Sequence, residues 1–520
     1  MIETPISNLG FALSDIARRF PENVGLVWGE RSWTWAEINA RVDATVSSLR
    51  RLGIGKADRI LVHSRNSNVM FETMWVAFKL GAAWVPTNFR LSPPEAAYLG
   101  EASRAKVMIY GEEFADYPPA AQKANPHLAH IFSDAEYEAL AETSQELVMA
   151  ENGRIEEDVA YDTPLWFFFT SGTTGRPKGA ILTHGQFAYC ITNQIADLMP
   201  GLSDRDASLA LAPLSHGAGL HAVPQVARGA KTVIPTSRHM DVEELFQLIE
   251  QHRVSNMFTV PTIVKAMTEH PAVDQYDHSS LKHVIYAGAP MYRADQVHAL
   301  NKLGPCLVQY FGLGEVTGNI TVLPAHMHSP DDDVHPVGSC GFARTGMEVA
   351  ILDEDGTHLP TGEKGSICVR GPGIFAGYFE NDKANAESFK HGWFNTGDLG
   401  TMDESGLLYI TGRASDMFIS GGSNIYPKEI EEVFLTHPEI AEACVLGIED
   451  EKWGELGVAV LVCTPESTLD GAQALGYLDG KLAKYKWPRR FVFWEDMPKS
   501  GYGKIPKKLV REELRKREGF

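Results

Sequence analysis

Apolar and polar positions alternate along this chain with two periods, and the switches between them mark out the elements. Spacing of three and four predicts helices over 9–20, 35–52, 69–80 and 93–103, the last with Ser92 as its cap. Short apolar runs predict strands over 59–63, 83–86 and 105–110. Strands separated by helices imply parallel pairing with right-handed crossovers. The stretch 112–157 has weak periodicity and many charges, and it reads as a surface excursion.

The aromatic run 165–169 reads as a buried strand. Helix and strand then alternate again: helices over 184–198, 242–252 and 262–269, and strands over 207–212, 256–260, 283–287 and 306–311. Three strands end in Gly-rich turns, at 170, 287 and 311. Open parallel sheets bind ligands where strands give way to such turns, so these junctions are expected to converge on one crevice. From 337 the chain becomes a series of Gly-punctuated short strands, and from 412 a compact α+β piece of helices and strands. The fold class expected is α/β. A large N-terminal domain of parallel-sheet layers carries a small β region, and a C-terminal α+β domain follows. The boundaries are 1–412, a hinge at 413–416, and 417–520.

Composition narrows the function. The 520 residues carry a formal charge of -20 and are 44% hydrophobic. An acidic balance argues against a broad nucleic-acid footprint. Six cysteines stand at 190, 306, 340, 368, 444 and 463, never as a C-x-x-C pair, which gives no metal spacing and fits reduced thiols in the cytoplasm. No apolar run reaches the length of a membrane-spanning helix, and the first residues lack the basic head and apolar core of a signal peptide.

The chemistry concentrates in the loop after 169. Thr170, Ser171, Gly172, Thr173, Thr174 and Gly175 offer four hydroxyls and no bulky group, and Arg176 and Lys178 add two cations. Glycine reaches dihedrals closed to other residues, so successive N–H groups can converge into an anion nest. A polyphosphate is the object that best suits such donors. This is not a Walker A loop: four residues intervene between Gly172 and Pro177, where that motif needs Gly followed by Lys.

The stretch Thr-Ser-Gly-Thr-Thr-Gly-Arg-Pro-Lys-Gly resembles, without a gap, the signature loop of the adenylate-forming superfamily of acyl- and aryl-CoA synthetases, peptide-synthetase adenylation domains and beetle luciferases. Later stretches agree in order and spacing. Gly288, Ala289 and Pro290 resemble the adenine-facing turn, and Phe311, Gly312 and Glu315 stand in the place of Tyr-Gly-x-Thr-Glu. Asp398 and Arg413 match the ribose-binding positions, Gly421 and Gly422 the face that lines the thiol tunnel, and Lys504 the C-terminal catalytic lysine. The resemblance implies two steps: a carboxylate attacks the α-phosphorus of ATP and releases pyrophosphate, then the thiol of coenzyme A attacks the acyl-adenylate and releases AMP. It implies Lys504, Glu315 and His216 as catalytic residues, Thr174 and Glu315 as Mg²⁺ ligands, and residues 170–175 with Lys178 as the phosphate cradle. It also implies a C-terminal lid that swings about the hinge. Three departures stand out: Phe311 for Tyr, Gly314 for Thr, and Ser415 where the hinge usually has Asp or Lys.

The acyl pocket is expected from 216–225, 284–288 and 312–320, with Gly217, Ala218 and Gly219 leaving space for an aryl or medium-length acyl group. No acid lies in 213–221, which disfavours amino acids; no Arg lies there either, which disfavours dicarboxylates, although His221 could pair with a second carboxylate. Fatty, cinnamic and benzoic acids remain open, as do a carrier protein as the acceptor, a nucleotide-binding relative without catalysis, a luciferase-like oxygenase, and a homodimeric state.

Overall fold

The computed structural model describes residues 6–519 apart from 144–145, 171–175, 290, 414–415, 421–422, 451–453 and 500–504. The chain packs as two units. One takes in 1–349 and 369–394, the other 350–368 and 395–520.

The first unit holds two α/β sheets. In the six-stranded sheet, Arg59–His63 pairs parallel with Ala83–Pro86 and with Val107–Tyr110, Pro164–Thr170 lies parallel beside Ala83–Pro86, and Lys178–Thr183 is the edge strand beyond it. The aromatic run forms here because its ring faces are enclosed: Trp84 and Trp166, on neighbouring strands, meet edge to face at 4.6 Å, and both are fully buried. Helices form where the pattern placed them, at Trp35–Arg51, Asn68–Leu80 and Pro93–Ala102. The cap expected at Ser92 is a capping box completed by Glu95. In the nine-stranded sheet, Asn256–Thr259, His283–Tyr286 and Leu307–Phe311 lie side by side and parallel.

The expected surface excursion over 112–157 is corrected. His130–Ser133 is a strand that extends the six-stranded sheet parallel to Val107–Tyr110, and Asp134–Ala141 is a helix started by a Ser133–Glu136 capping box. Tyr137 on that helix is fully buried and donates to Glu72 Oε2 at 3.2 Å. Charge hid this segment: Glu72, Arg41 and Glu138 are paired in the interior rather than solvated. Several strands absent from the pattern reading, among them Val24–Trp28, Lys178–Thr183 and Lys231–Ile234, are also present. They are short and their alternation is broken by polar residues, so burial by neighbours decides them.

In the second unit the hairpin of Ile440–Asp450 and Gly454–Cys463 separates two small cores, as the period of two requires. Ala443, Val445, Ala459 and Leu461 pack with Ile430 and Phe434 of helix Pro427–Phe434. Cys444, Leu446, Val458 and Val460 pack with Val510 and Leu514 of helix Lys507–Glu518. Arg490–Trp494 adds a parallel strand. Helix Gly471–Tyr477 stops short of Gly480, whose φ of 73° is closed to regular helix.

Candidate active site

Strand Pro164–Thr170 runs antiparallel to Lys178–Thr183, with Thr170 opposite Lys178. The signature loop is therefore the tip of a hairpin. Its members Ser171, Gly172, Thr173, Thr174 and Gly175 lie outside the described residues, but both its posts are placed. Thr170 Oγ1 donates to Glu315 Oε1 at 2.9 Å, a contact 145 residues apart in sequence. Two of the three expected strand-to-turn junctions thus meet. The third belongs to the strand beside Leu307–Phe311, where Gly288, with φ of 85°, and Ala289 form an exposed turn; Pro290 lies outside the described residues.

Glu315 is buried, and its Oε1 also accepts from the Tyr378 hydroxyl at 3.0 Å. Lys178 Nζ stands over the Tyr378 ring, 5.0 Å from its centre. Burial, then the neighbouring Glu315 carboxylate, pushes the Tyr378 hydroxyl pKa upward, so it stays a donor. Pattern reading missed Tyr378. It follows a glycine in an irregular segment, and nothing local distinguishes it from a packed tyrosine.

A second group flanks this one. His216 stands at the N-terminal end of helix Gly217–Ala227, and its ring lies 4.6 Å from that of Phe168. A Cβ on Gly314 would fall 2.4 Å from Phe168 Cδ1. The phenyl ring occupies the room that a side chain at 314 would need, which accounts for glycine where the signature has Thr. Gly312 is needed for close approach, since a Cβ there would meet the Gly318 carbonyl at 2.3 Å. Phe311 ends its strand half-buried.

The expected open space at Gly217–Gly219 is corrected. A Cβ on Gly217 would meet Phe258 at 2.3 Å, and one on Gly219 the Leu214 carbonyl at 2.0 Å. These glycines let helix Gly217–Ala227 pack closely against its surroundings. His221 is corrected as well. It is fully buried, stacked on Phe258, and burial lowers its pKa to about 3, so it is neutral at pH 7 and carries no charge for a second carboxylate.

In the second unit, Asp398 and Arg413 face each other across antiparallel strands, with Arg413 Nε 3.1 Å from Asp398 Oδ1. Asp398 is buried and its backbone N–H donates to Thr396 Oγ1, which fixes the turn before it. Gly421, Gly422, Ser415 and Lys504 lie outside the described residues. Of the lysines near Lys504 in sequence, Lys499 pairs with Glu442 and Lys507 with Glu431.

Among the described residues no cluster of three or more His, Cys, Asp or Glu could hold a metal ion. A single buried carboxylate beside a hydroxyl is a donor set of hard oxygens. It fits Mg²⁺, which commonly takes one or two carboxylates and completes its shell with water and substrate phosphates.

Two family models match the chain over most of its length. Residues 13–379 match the AMP-binding enzyme model and 429–504 the AMP-binding enzyme C-terminal domain. The chain belongs to the AMP-binding enzyme family. It is 33% identical to a feruloyl-CoA synthase of Amycolatopsis sp over 501 residues, 96% of this chain and 97% of that one. It is 34% identical to an indoleacetate–CoA ligase of Aromatoleum aromaticum over 500 residues, 95% of each. Among solved structures, o-succinylbenzoate CoA synthetase from Bacillus subtilis, in complex with its acyl-adenylate, is 28% identical, with a TM-score of 0.83 over 98% of this chain and 99% of that one. ATP-bound MatB from Rhodopseudomonas palustris is 26% identical, with a TM-score of 0.86 over 98% and 99%.

Proposed function

We propose that the protein is an ATP-dependent acid–coenzyme A ligase. An oxygen of the carboxylate attacks the α-phosphorus of ATP, the bond to the β-phosphate bridging oxygen breaks, and pyrophosphate leaves. The thiol of coenzyme A, after losing its proton, then attacks the acyl carbon, and AMP leaves. The observation that carries the reading is the meeting of Thr170, Glu315 and Tyr378 at the base of the signature hairpin.

The first step spreads negative charge over the α-phosphate, so its barrier falls through placed positive charge and positioning. Residues 170–175 and Lys178 cradle the phosphates. Glu315, held by Thr170 and Tyr378, is the protein ligand for Mg²⁺, with Thr174 as its partner; the ion supplies charge neutralisation at the phosphates when bound. Gly288, Ala289 and Pro290 serve the adenine together with Phe311 and Gly312, and Asp398 and Arg413 serve the ribose. Asp398 has two oxygens to accept from both hydroxyls. His216, whose ring lies tilted against that of Phe168, lines the entry of the acid. Lys504 meets the carboxylate and α-phosphate. Gly421 and Gly422 give the pantetheine arm room in the second step, after 417–520 turns about a hinge at 413–416.

Free coenzyme A rather than a carrier protein is the acceptor, in line with the relatives named above. We place the enzyme in the cytoplasm, because all six cysteines are free. No helix among the described residues is long and apolar enough to cross a membrane. The deciding experiment measures pyrophosphate release with ATP and Mg²⁺ across fatty acids, benzoates, cinnamates and dicarboxylates, with and without coenzyme A. Turnover that needs one acid class and coenzyme A is expected. Adenylate formation that leads to no CoA thioester overturns the ligase reading.

A further inference from the structure

The segment 375–379 lies outside the regular strands and helices, yet its backbone is bonded on both edges. One edge is stitched to the second post of the signature hairpin. The Ala376 N–H donates to the Ile181 carbonyl at 2.9 Å, the Ile181 N–H to the Gly377 carbonyl at 3.0 Å, and the Phe379 N–H to the Gly179 carbonyl at 2.9 Å. The segment also grips the turn that carries Glu315, since the Phe375 N–H donates to the Glu315 carbonyl at 2.7 Å. Tyr378 is pinned further by one side chain: its N–H donates to Asn385 Oδ1 at 2.7 Å, and its carbonyl accepts from Asn385 Nδ2 at 3.1 Å. Phe375 packs edge-on against its ring at 4.8 Å. A side chain held so firmly is suited to fixing the direction of its neighbours.

Those neighbours are two opposite charges. The Tyr378 hydroxyl donates to Glu315 Oε1 at 3.0 Å, and Lys178 Nζ lies 5.0 Å from the centre of the ring. Thr170 stands beside both. It donates to Glu315 Oε1, and it is opposite Lys178 in the hairpin, where cross-strand Cβ atoms approach to about 5 Å. A lysine and a glutamate that share two neighbours are placed to pair, and a partly buried pair is only weakly screened by salt. Among the described residues neither takes part in an ion pair. Glu315 Oε1 accepts from the two hydroxyls, while Oε2 accepts from no described residue.

We propose that Tyr378 is a positioning residue that keeps Lys178 and Glu315 apart, so that the second carboxylate oxygen stays open to Mg²⁺ and the ammonium stays available to the phosphates; this rests on the nucleotide site of the ligase reading above. The two groups await partners of opposite sign. If they paired, Mg²⁺ would have to displace an ammonium and a phosphate oxygen would have to displace a carboxylate. One tyrosine satisfies both without joining them. Its hydroxyl is a donor to the anion, and its negative ring face attracts the cation without using up a carboxylate. Groups that orient a metal-ligating carboxylate carry about 10–100-fold in metal affinity.

The test reads binding rather than turnover. Calorimetry gives the Kd for ATP in Mg²⁺ and in EDTA, and the ratio of the two is the advantage that Mg²⁺ confers. Tyr378→Leu removes hydroxyl and ring together and should cut that advantage by about tenfold or more. Lys178→Met should restore about tenfold of it in the Tyr378→Leu background and leave it nearly unchanged in the wild type, because residues that touch couple in such a cycle. Circular dichroism reports whether each variant folds. Tyr378→Phe keeps the ring and its packing, so it carries the test if Tyr378→Leu does not fold: the advantage should fall with the lost hydroxyl, and Lys178→Met should change it no more than in the wild type. An advantage unchanged in the Tyr378 variants overturns the proposal. So does an equal effect of Lys178→Met in the wild type and in Tyr378→Leu, or a wild type that binds ATP no better with Mg²⁺ than without. The ligase reading fails separately, through the absence of a CoA thioester from every acid, because this cycle measures no turnover.

Discussion

Gly314 offers a sharp test of the packing beside Glu315. Its backbone does not need glycine, because its φ is not in the left-handed region; space is what excludes a side chain. In Gly314→Ala the new methyl would sit 2.4 Å from Cδ1 and 2.5 Å from Cε1 of Phe168. The ring cannot simply rotate away, since it is buried between Trp166 at 5.6 Å and His216 at 4.6 Å. Overpacking of this kind costs about 1–3 kcal/mol. Phe168→Ala alone should cost about 3–5 kcal/mol through the cavity it leaves. With the ring gone, the alanine methyl at 314 has room and refills part of that cavity, worth at most about 0.8 kcal/mol. The effect of Gly314→Ala should therefore change sign, from destabilising in the wild type to neutral or stabilising in Phe168→Ala. Thermal unfolding of the four proteins reads this directly, because contacting residues couple strongly in such a cycle. The same loss in both backgrounds would falsify the account of Gly314, and the missing threonine would then need another cause.

Three further outcomes are expected. Lys504→Ala should lower adenylation, read as pyrophosphate exchange, by at least ~10²–10³-fold, as for loss of one preorganised transition-state donor; an unchanged rate would remove Lys504 from the mechanism. Asp398→Ala should raise the KM for ATP, and an unaltered KM would leave Asp398 as a strand residue paired with Arg413 and nothing more. His184 is buried with a pKa lowered to about 3, by burial first and then by Lys56, and its neutral Nδ1 accepts from the Leu9 N–H. The unfolded chain takes up a proton there below pH ~6.5 and the folded one does not, so the stability this group contributes is full above pH ~6.5 and lost as pH falls toward 3, by about 1.4 kcal/mol per unit. His184→Gln should therefore lose less melting temperature between pH 7 and pH 5 than the wild type, and an equal loss in both refutes the assignment.

What was legible in the chain was whatever is contiguous. The signature loop and the Gly-rich turns after strands each lie within a few residues, so local pattern carries them. The capping box at Ser92 was legible for the same reason. What was hidden depends on partners far along the chain. Tyr378 becomes a site residue only because Glu315, 63 positions earlier, accepts from its hydroxyl. The strand at Lys178–Thr183 exists because Pro164–Thr170 pairs with it, and that pairing turns an isolated loop into a hairpin tip. The segment over 112–157 looked solvated because charge was read as exposure, whereas Arg41, Glu72 and Glu138 satisfy one another inside.

His221 shows how the same logic bears on the substrate. Its place in a run without acids or arginines made it the natural candidate for a distant carboxylate. Burial reverses that reading, because a neutral imidazole stacked on Phe258 has no charge to offer. A cation does stand near His221, since Arg344 lies 5.9 Å from the ring of Tyr310, whose hydroxyl is 3.4 Å from His221 Nε2, and no window around 213–222 could reveal it because it comes from more than a hundred residues away. It arrives with Asp197 already beside it. The absence of an arginine from 213–222 is therefore no measure of the charge near His221 in the fold, where a cation from a distant stretch of chain stands close by.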